Sequence, residues 1–275
     1  MKTFSDPVKL QRWCSARRMS GARIALVPTM GALHEGHLSL IEAARRAGAD
    51  EIVVSVFVNP VQFGPNEDYA KYPREAKSDS AKCRKAGATA IFFPTPANMY
   101  ASDHSVWVLE DGALSDCLCG ARRPGHFRGV CTVVAKLFNL VHPHVAVFGQ
   151  KDFQQATIIR RMVRDLNFDV DVLVAPIVRE SSGLALSSRN AYLSEDERAN
   201  AVALSESLAS VKPGPWTAQR RRIEADLAKR GLKVDYVEAV GAEDLRPVKT
   251  IRAGVAVLLA VYDGMTRLID NRVFR

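Results

Sequence analysis

His34 and His37 stand three residues apart, separated by Glu35-Gly36 and preceded by Pro28-Thr29-Met30-Gly31-Ala32-Leu33. The apolar run Ile24 to Val27 before them reads as a buried strand, and Leu38–Ala47 after them has helical spacing. At spacing i, i+3 both imidazoles project from one face of a first helical turn. A helix N-terminus adds unpaired N–H groups and a partial positive charge, and Gly31 and Gly36 let backbone come close to a ligand. The segment suits a polyphosphate. The plainer alternative is two surface histidines on a capped helix.

Four further clusters carry chemistry. Val56-Phe57-Val58-Asn59-Pro60-Val61-Gln62-Phe63-Gly64-Pro65-Asn66-Glu67-Asp68-Tyr69 ends a strand in Asn-Pro, which forces an extended or turn conformation and holds Gln62 on a stiff loop. Its amide both donates and accepts, as a hydroxy-acid substrate requires, although the stretch is equally a plain Pro/Gly/Asn turn. Gly125-His126-Phe127-Arg128-Gly129-Val130 is a glycine-bounded helix entry in which His126 and Arg128 are candidates to face an anion. In Phe148-Gly149-Gln150-Lys151-Asp152, a strand and glycine turn deliver Lys151 to a helix start, where a compact cation can follow a phosphate. Asp152 suits an N-cap, and Gln155 falls on the same helix face. Finally, Val178-Arg179-Glu180 and Gly183-Leu184-Ala185-Leu186-Ser187-Ser188-Arg189-Asn190 offer two hydroxyls and a planar fork for phosphate oxygens, or else a solvated loop.

The elements that must position these groups alternate through the first two-thirds of the chain. Strands are expected at Arg23–Val27, Glu51–Val58, Ala90–Phe93, Val106–Leu109, Val145–Phe148 and Asp171–Val174. Helices are expected at Leu38–Ala47, Tyr69–Ala86, Cys131–Val141 and Asp152–Leu166. Apolar strands between helices predict an α/β fold, a Rossmann-like parallel sheet with helices on both faces. Ligands then bind past the carboxyl ends of strands, where the clusters fall. Past Pro176 the pattern changes. Helices at Leu193–Val211 and Trp216–Arg230 precede strands at Val234–Val240, Val255–Val261 and Thr266–Asn271, with a turn at Asp263-Gly264. The expectation is a domain at 1–176 and a smaller α+β, lid-like C-terminal domain at 177–275.

Composition narrows the class. A chain of 275 residues has ample apolar content for a core. No segment has the unbroken apolar length of a membrane span, and Met1 to Pro7 lacks a secretory h-region, so a cytoplasmic protein is expected. The five cysteines are odd in number and scattered, neither a disulfide framework nor a zinc site. No metal ligand is expected from the protein. A net charge of +8 admits a nucleic-acid-binding reading, but its one cluster, Arg220-Arg221-Arg222, sits in a charge-mixed helical stretch, and anionic small substrates account for the excess equally.

The H-x-G-H pattern resembles the signature of the nucleotidylyltransferase superfamily, which includes class I aminoacyl-tRNA synthetases, and Ser187-Ser188-Arg189 resembles its second, triphosphate-closing loop. Together the five segments resemble the pantoate–β-alanine ligase (pantothenate synthetase) family, up to Arg189-Asn190 and again at Arg267-Leu268-Ile269-Asp270-Asn271. One variation is Gln150, where glutamate is as readily expected.

The resemblance implies attack of pantoate carboxylate on the α-phosphorus of ATP, then capture of the pantoyl adenylate by β-alanine, giving pantothenate, AMP and pyrophosphate. It implies catalytic roles for His34, His37 and Lys151. ATP would contact Met30, Gly31, Ala32, Leu33, Glu35 and Gly36 beside the two histidines. It would also contact Gly149, Gln150, Lys151 and Asp152, then Val178, Leu186, Ser187, Ser188 and Arg189. Gln62 and Gln155 would bind pantoate, with Gln62 also near β-alanine, and Met30, Phe57, Val130 and Val134 would wall its gem-dimethyl group. Mg²⁺ on the phosphates and a homodimer are implied too, with no nucleic-acid or membrane partner. An adenylyltransferase acting on a phosphorylated acceptor is the alternative, but it leaves the Asn59–Tyr69 string unexplained.

Overall fold

The computed structural model describes residues 1–65 and 67–275; Asn66, within the Asn59–Tyr69 string, lies outside the described residues. The chain opens with β1 (Lys2–Phe4) and α1 (Pro7–Met19), the latter capped by Asp6, which accepts the Val8 N–H at 2.8 Å. Then follow β2 (Ile24–Thr29), α2 (Glu35–Arg46), β3 (Glu51–Val56), α3 (Ala76–Lys85) and β4 (Ala90–Phe92). After the short helices α4 (Pro96–Met99) and α5 (Leu118–Arg122) come α6 (His126–Val141), β5 (Val145–Gly149), α7 (Phe153–Asp165) and β6 (Asp171–Ala175).

These strands form one sheet in the order β1-β4-β3-β2-β5-β6, with every pairing parallel. Successive residues serve opposite faces. Ile24, Leu26, Val53 and Phe92 pack with α1, α6 and α7, whereas Ala25, Val27, Ile52 and Val54 pack with α2 and α3. Burial on both faces is why the strands read as unbroken apolar runs. With β3 and β4 on one side of β2, and β5 and β6 on the other, the winding reverses between β2 and β5. A crevice opens there beyond the strand ends. The histidines leave β2 and Lys151 leaves β5.

The C-terminal elements are α8 (Glu195–Ala201), α9 (Ala203–Ser210), β7 (Gly214–Pro215), α10 (Trp216–Lys229), β8 (Lys233–Gly241), β9 (Thr250–Ile251), β10 (Val255–Asp263) and β11 (Thr266–Phe274). β8, β10 and β11 form an antiparallel sheet in the order β11-β10-β8. One face, with Val237, Val257 and Leu259, packs on α9 and α10; the other, with Tyr236, Val240, Ala256 and Leu258, joins the cluster of α6 and α7. Arg220 on α10 pairs with Glu224 at 2.8 Å and Glu238 at 3.0 Å, as part of a charge-mixed helix face.

Three local expectations are corrected, and one strand was not expected. Val106–Leu109 forms no strand and finds no sheet partner among the described residues, leaving Val106 78% and Leu109 58% exposed. The helix expected from Tyr69 begins at Ala76, because Pro73 and the turns before it exclude helical geometry. Leu193–Val211 is two helices, broken at Val202. β1 is too short and too charged to stand out from sequence.

Candidate functional site

The turn from β2 into α2 is shaped by residues far along the chain. Asp79 on α3 is fully buried and accepts the N–H groups of Ala32 and Leu33 at 3.0 and 2.8 Å, while Lys82 donates to the Leu33 carbonyl at 2.7 Å. The loop is thus tied before it delivers the histidines. His34 occupies the N-cap of α2, and His37 lies in its first turn. Their ring centroids are 4.1 Å apart. Gly36 leaves room beside them: a Cβ there would come within 2.9 Å of the His34 ring and push it from this position.

His37 Nδ1 accepts the His34 backbone N–H at 3.3 Å, which leaves the neutral ring's proton on Nε2. His34 Nδ1 is buried without a hydrogen-bond partner among the described residues. Burial, then the charges of Lys151 and Lys82, lower the His34 pKa to about 4. Burial, then His34 and Lys151, lower His37 well below its ordinary value. Both rings are neutral donors at pH 7, poised to meet negative charge.

Both histidines line a cavity of about 200 Å³ at the β2/β5 crevice. Lys151 and Asp152 reach it from the 3₁₀ turn Gln150–Asp152, with Gln155 from α7. Asp152 does stand at the N-cap position of α7. Gly149, Val178, Leu186 and Ser187 to Arg189 complete that side. Met30, Phe57, Val130 and Val134 add apolar surface. Five of the expected residues do not line the cavity. Gly31 and Leu33 are buried under the loop, Ala32 is half-buried there, Glu35 is exposed, and Gln150 turns toward β11, its amide 3.1 Å from Asn271.

Gln62 is buried and closely braced. Asn59 Nδ2 donates to its Oε1 at 3.0 Å and to the Gly129 carbonyl at 3.1 Å, while Tyr100 donates to Asn59 Oδ1 at 2.8 Å. The Gln62 amide lies 3.1 Å from Met30 Sδ. Gly129 admits no larger residue: its Cβ would fall 2.4 Å from the Val61 carbonyl oxygen.

His126 does not serve as an anion ligand. Its Nε2 lies 3.0 Å from Arg123 Nη1, so Nδ1 carries the proton and donates to the Gln62 carbonyl at 2.8 Å. Arg123 is itself held by two bonds to Glu67, at 2.7 and 2.6 Å. Burial, then Arg123, lower the His126 pKa to about 4. Arg128 instead stacks over Trp107, 4.6 Å from the ring centroid.

The loop after β6 lines the cavity with Leu186 to Arg189. Ser188 Oγ donates to the Ala32 carbonyl at 3.2 Å, and Ser187 accepts the Arg189 N–H at 3.2 Å. Arg189 makes a two-bonded fork with Asp68. A larger cleft of about 1280 Å³ continues from this point toward β11, sharing Lys151, Asp152 and Arg189 with the cavity. Asp79, Lys82, Asn59, Tyr72 and Asn271 were not among the expected site residues. Asp79, Lys82 and Cys83 share a helix face at spacing i, i+3, i+4, which was the available signal.

A doubly wound parallel sheet whose reversal crevice gathers two histidines, a lysine and a serine–arginine loop is the architecture of an enzyme built for transfer chemistry at phosphorus. The chain belongs to the pantoate–β-alanine ligase family, whose model, described as Pantoate-beta-alanine ligase, matches residues 2–273, and it is an enzyme of that ligase class. It is 54% identical to the pantothenate synthetase of Anaeromyxobacter dehalogenans, over 98% of this chain and 99% of that protein. Its fold matches a crystal structure of pantothenate synthetase from Thermus thermophilus at a TM-score of 0.92, with 42% identity and all of both chains covered. It also matches the pantoate-β-alanine ligase of Francisella tularensis, complexed with β-γ ATP and β-alanine, at 0.84 and 32%, covering 99% and 97% of the two chains.

Proposed function

We propose that the β2/β5 cavity joins pantoate to β-alanine in two steps, through a pantoyl adenylate, with ATP as co-substrate and AMP and pyrophosphate as products. The observation that carries this reading is the mixed chemistry of the cavity's lining. Phosphate-seeking groups, His34, His37, Lys151, Ser187 and Ser188, share the lining with the apolar Met30, Phe57, Val130 and Val134 and with the Gln62 and Gln155 amides. The apolar wall suits a gem-dimethyl group, and the amides suit hydroxyl and carboxylate. The Asn59–Tyr69 string falls inside the whole-chain family match, which favours the ligase over an adenylyltransferase.

In the first step pantoate carboxylate attacks the α-phosphorus. Neutral His34 and His37 donate hydrogen bonds to oxygens whose charge grows as phosphorus becomes five-coordinate, and His37 Nε2–H is the donor left free by its fixed tautomer. Lys151 neutralises phosphate charge, while Ser187, Ser188 and Arg189 hold the departing pyrophosphate. Gly149, Asp152 and Val178 lie against adenosine, and the Met30–His37 turn against the phosphates. In the second step the amine of β-alanine, near Gln62, attacks the activated carbonyl and AMP leaves. No covalent enzyme intermediate is required. Among the described residues no group of three or more His, Cys, Asp or Glu side chains is placed to hold a metal ion. Mg²⁺ held by the ATP phosphate oxygens, with few direct protein ligands, would reduce the phosphate charge.

Two structural readings accompany this one. The first is that residues 177–275 act as a lid on 1–176. Serine and arginine groups of the 183–190 loop and the histidines and lysine of 1–176 line one cavity, so a loop that opens for ATP and closes afterwards would keep water from the mixed anhydride. ATP plus pantoate should protect 183–190 from hydrogen exchange more than either ligand alone; unchanged exchange in an active enzyme refutes closure. The second is a homodimer through the sheet domain, supported by the unpartnered, exposed Val106 and Leu109. Val106→Asp should yield monomers in analytical ultracentrifugation. A cytoplasmic setting agrees with five free cysteines, and no helix among the described residues is long and apolar enough to cross a membrane.

The decisive assay supplies ATP, pantoate, β-alanine and Mg²⁺ and follows AMP and pantothenate. Formation of ADP and phosphate in place of AMP and pyrophosphate would replace the adenylate with an acyl phosphate, since hydroxylamine traps either mixed anhydride.

A further inference from the structure

Asp270 and Asn271 are consecutive on β11 and almost completely buried, at 3% and 2% exposure; they lie on the wall of the larger cleft but do not line the 200 Å³ cavity. Each reaches a different element that does. Asn271 Nδ2 donates to the carbonyls of Gln150 at 2.9 Å and Lys151 at 3.0 Å, and its Oδ1 accepts the Gln150 amide at 3.1 Å. Both Nδ2 protons are thereby used, and the acceptor side is answered by Gln150. The amide can point only one way. A three-residue 3₁₀ turn has few internal bonds of its own, so this side chain supplies much of what fixes the backbone that carries Lys151.

Asp270 works on the other arm. Its carboxylate takes Arg179 in a fork, Nη1 to Oδ2 at 2.6 Å and Nη2 to Oδ1 at 2.9 Å, and Oδ1 also accepts the Asn271 N–H at 2.7 Å. Arg179 Nη1 goes on to the Gly183 carbonyl at 3.1 Å. Arg179 and Ala185 form a bridge, and Leu186 donates to the Val178 carbonyl at 3.0 Å, which makes 178–186 a braced turn opening directly into Ser187–Arg189.

We propose that Asp270 and Asn271 form a two-armed bracket that sets Lys151 and the Ser187–Arg189 loop at one fixed spacing, and that both are positioning residues for adenylate formation. β11 is suited to this, being paired with β10 along its whole length, Leu259 opposite Asp270 and Leu258 opposite Asn271. The two phosphate-binding arms stem from different strands of the large sheet, β5 and β6. β5 and β6 are paired up to Gly149 and Ala175, but Lys151 and Ser187–Arg189 lie beyond that pairing, where a third rigid element touching both arms can hold their separation. The inference rests on reading Lys151 as a phosphate-binding group.

The test is a double-mutant cycle on single-turnover pyrophosphate release with ATP and pantoate, using Asn271→Ala, Lys151→Ala and the pair. Asn271→Ala should slow release about tenfold or more while leaving the pantoate KM unchanged, and should add little once Lys151 is already alanine. Full additivity of the two losses, or a normal rate in Asn271→Ala, would overturn the bracket. A fully active Lys151→Ala would remove the reading beneath it, and the bracket with it, whereas additivity alone leaves that reading intact. If Asn271→Ala fails to fold, Asn271→Ser keeps a hydroxyl donor and runs the same cycle. For the other arm, Asp270→Asn should couple in the same way to Arg189→Ala, and additivity there would remove that arm.

Discussion

Arg189 and Asp68 are joined by two hydrogen bonds, Nε to Oδ2 at 3.0 Å and Nη2 to Oδ1 at 2.8 Å. The guanidinium proposed to hold pyrophosphate is therefore occupied by a carboxylate before the nucleotide arrives. The fork uses two of the five guanidinium N–H donors, and the Asp68 carboxylate competes with pyrophosphate for the charge. Arg189→Ala should lower adenylate formation about 10²-fold, as loss of a well-placed charged donor does. Asp68→Asn removes the competitor, so pyrophosphate should inhibit that variant at lower concentrations than the parent. Identical pyrophosphate inhibition in the two proteins would mean that Asp68 does not compete.

His37→Ala and Lys151→Ala should each lower pyrophosphate release by about 10²-fold or more, because each acts on charge that develops in the transition state. Both side chains face a cavity rather than the core, so melting temperatures should change little. Rapid-quench measurement of bound adenylate checks this, and near-normal formation in either variant excludes that residue from the chemistry.

Acid should destabilise the protein earlier than its carboxylates alone would cause. Inside the fold His34 and His126 are held at about 4, against 6.5 for the free side chain. Between those values the unfolded chain binds more protons than the folded one, so stability is complete above pH 6.5 and is lost as pH falls toward 4. Urea midpoints at pH 7.5, 6 and 5 should decline steadily, and His126→Asn should flatten the decline. A midpoint that stays constant across that range would contradict the burial of neutral imidazoles.

His126 is expected to act through Gln62. Asparagine at 126 keeps a donor near the position of Nδ1, whereas glutamine places its donor near Nε2. The pantoate KM should rise about tenfold in His126→Gln and less in His126→Asn, with the ATP KM unchanged in both. Equal effects of the two substitutions on both substrates would leave His126 a packing residue only.

Gly129→Ala should be among the most damaging single-methyl changes in the chain. The new Cβ meets backbone, 2.4 Å from the Val61 oxygen and 2.7 Å from Gln62 Cα, which no side-chain rotation relieves. A cost of about 1–3 kcal/mol or more is expected, visible as a lower urea midpoint together with a raised pantoate KM. A midpoint within error of the parent would show that the Pro60–Gln62 turn shifts freely.

Much of the site was legible because local chemistry announced it. Strand, glycine and histidine follow one another at 24–37, and Asn-Pro-x-Gln or Ser-Ser-Arg are short strings whose geometry is set within a few residues. The sheet was legible because burial on both faces leaves apolar runs. What stayed hidden is what the fold brings from a distance. Asp79 looked like one charge on a polar helix, although it ends up fully buried under Ala32 and Leu33. Asn271 looked like the end of a strand, and nothing in its neighbours points to the carbonyl of Lys151. Val106–Leu109 misled for the opposite reason, since β-branched alternation states a preference that still needs a partner strand.

The central crevice also has a history in time. Ile24 of β2 pairs with Glu51, close by in sequence, whereas Ala25 of the same strand pairs with Val145, far down the chain. Near contacts form cheaply and early, while distant parallel pairings wait on the closure of a long intervening loop. During refolding the histidine turn can therefore assemble on β2 and α2 well before β5 arrives with its lysine. Helical signal should return first and turnover last, the interval between them measuring how long the molecule exists as a folded half without a floor to its active site.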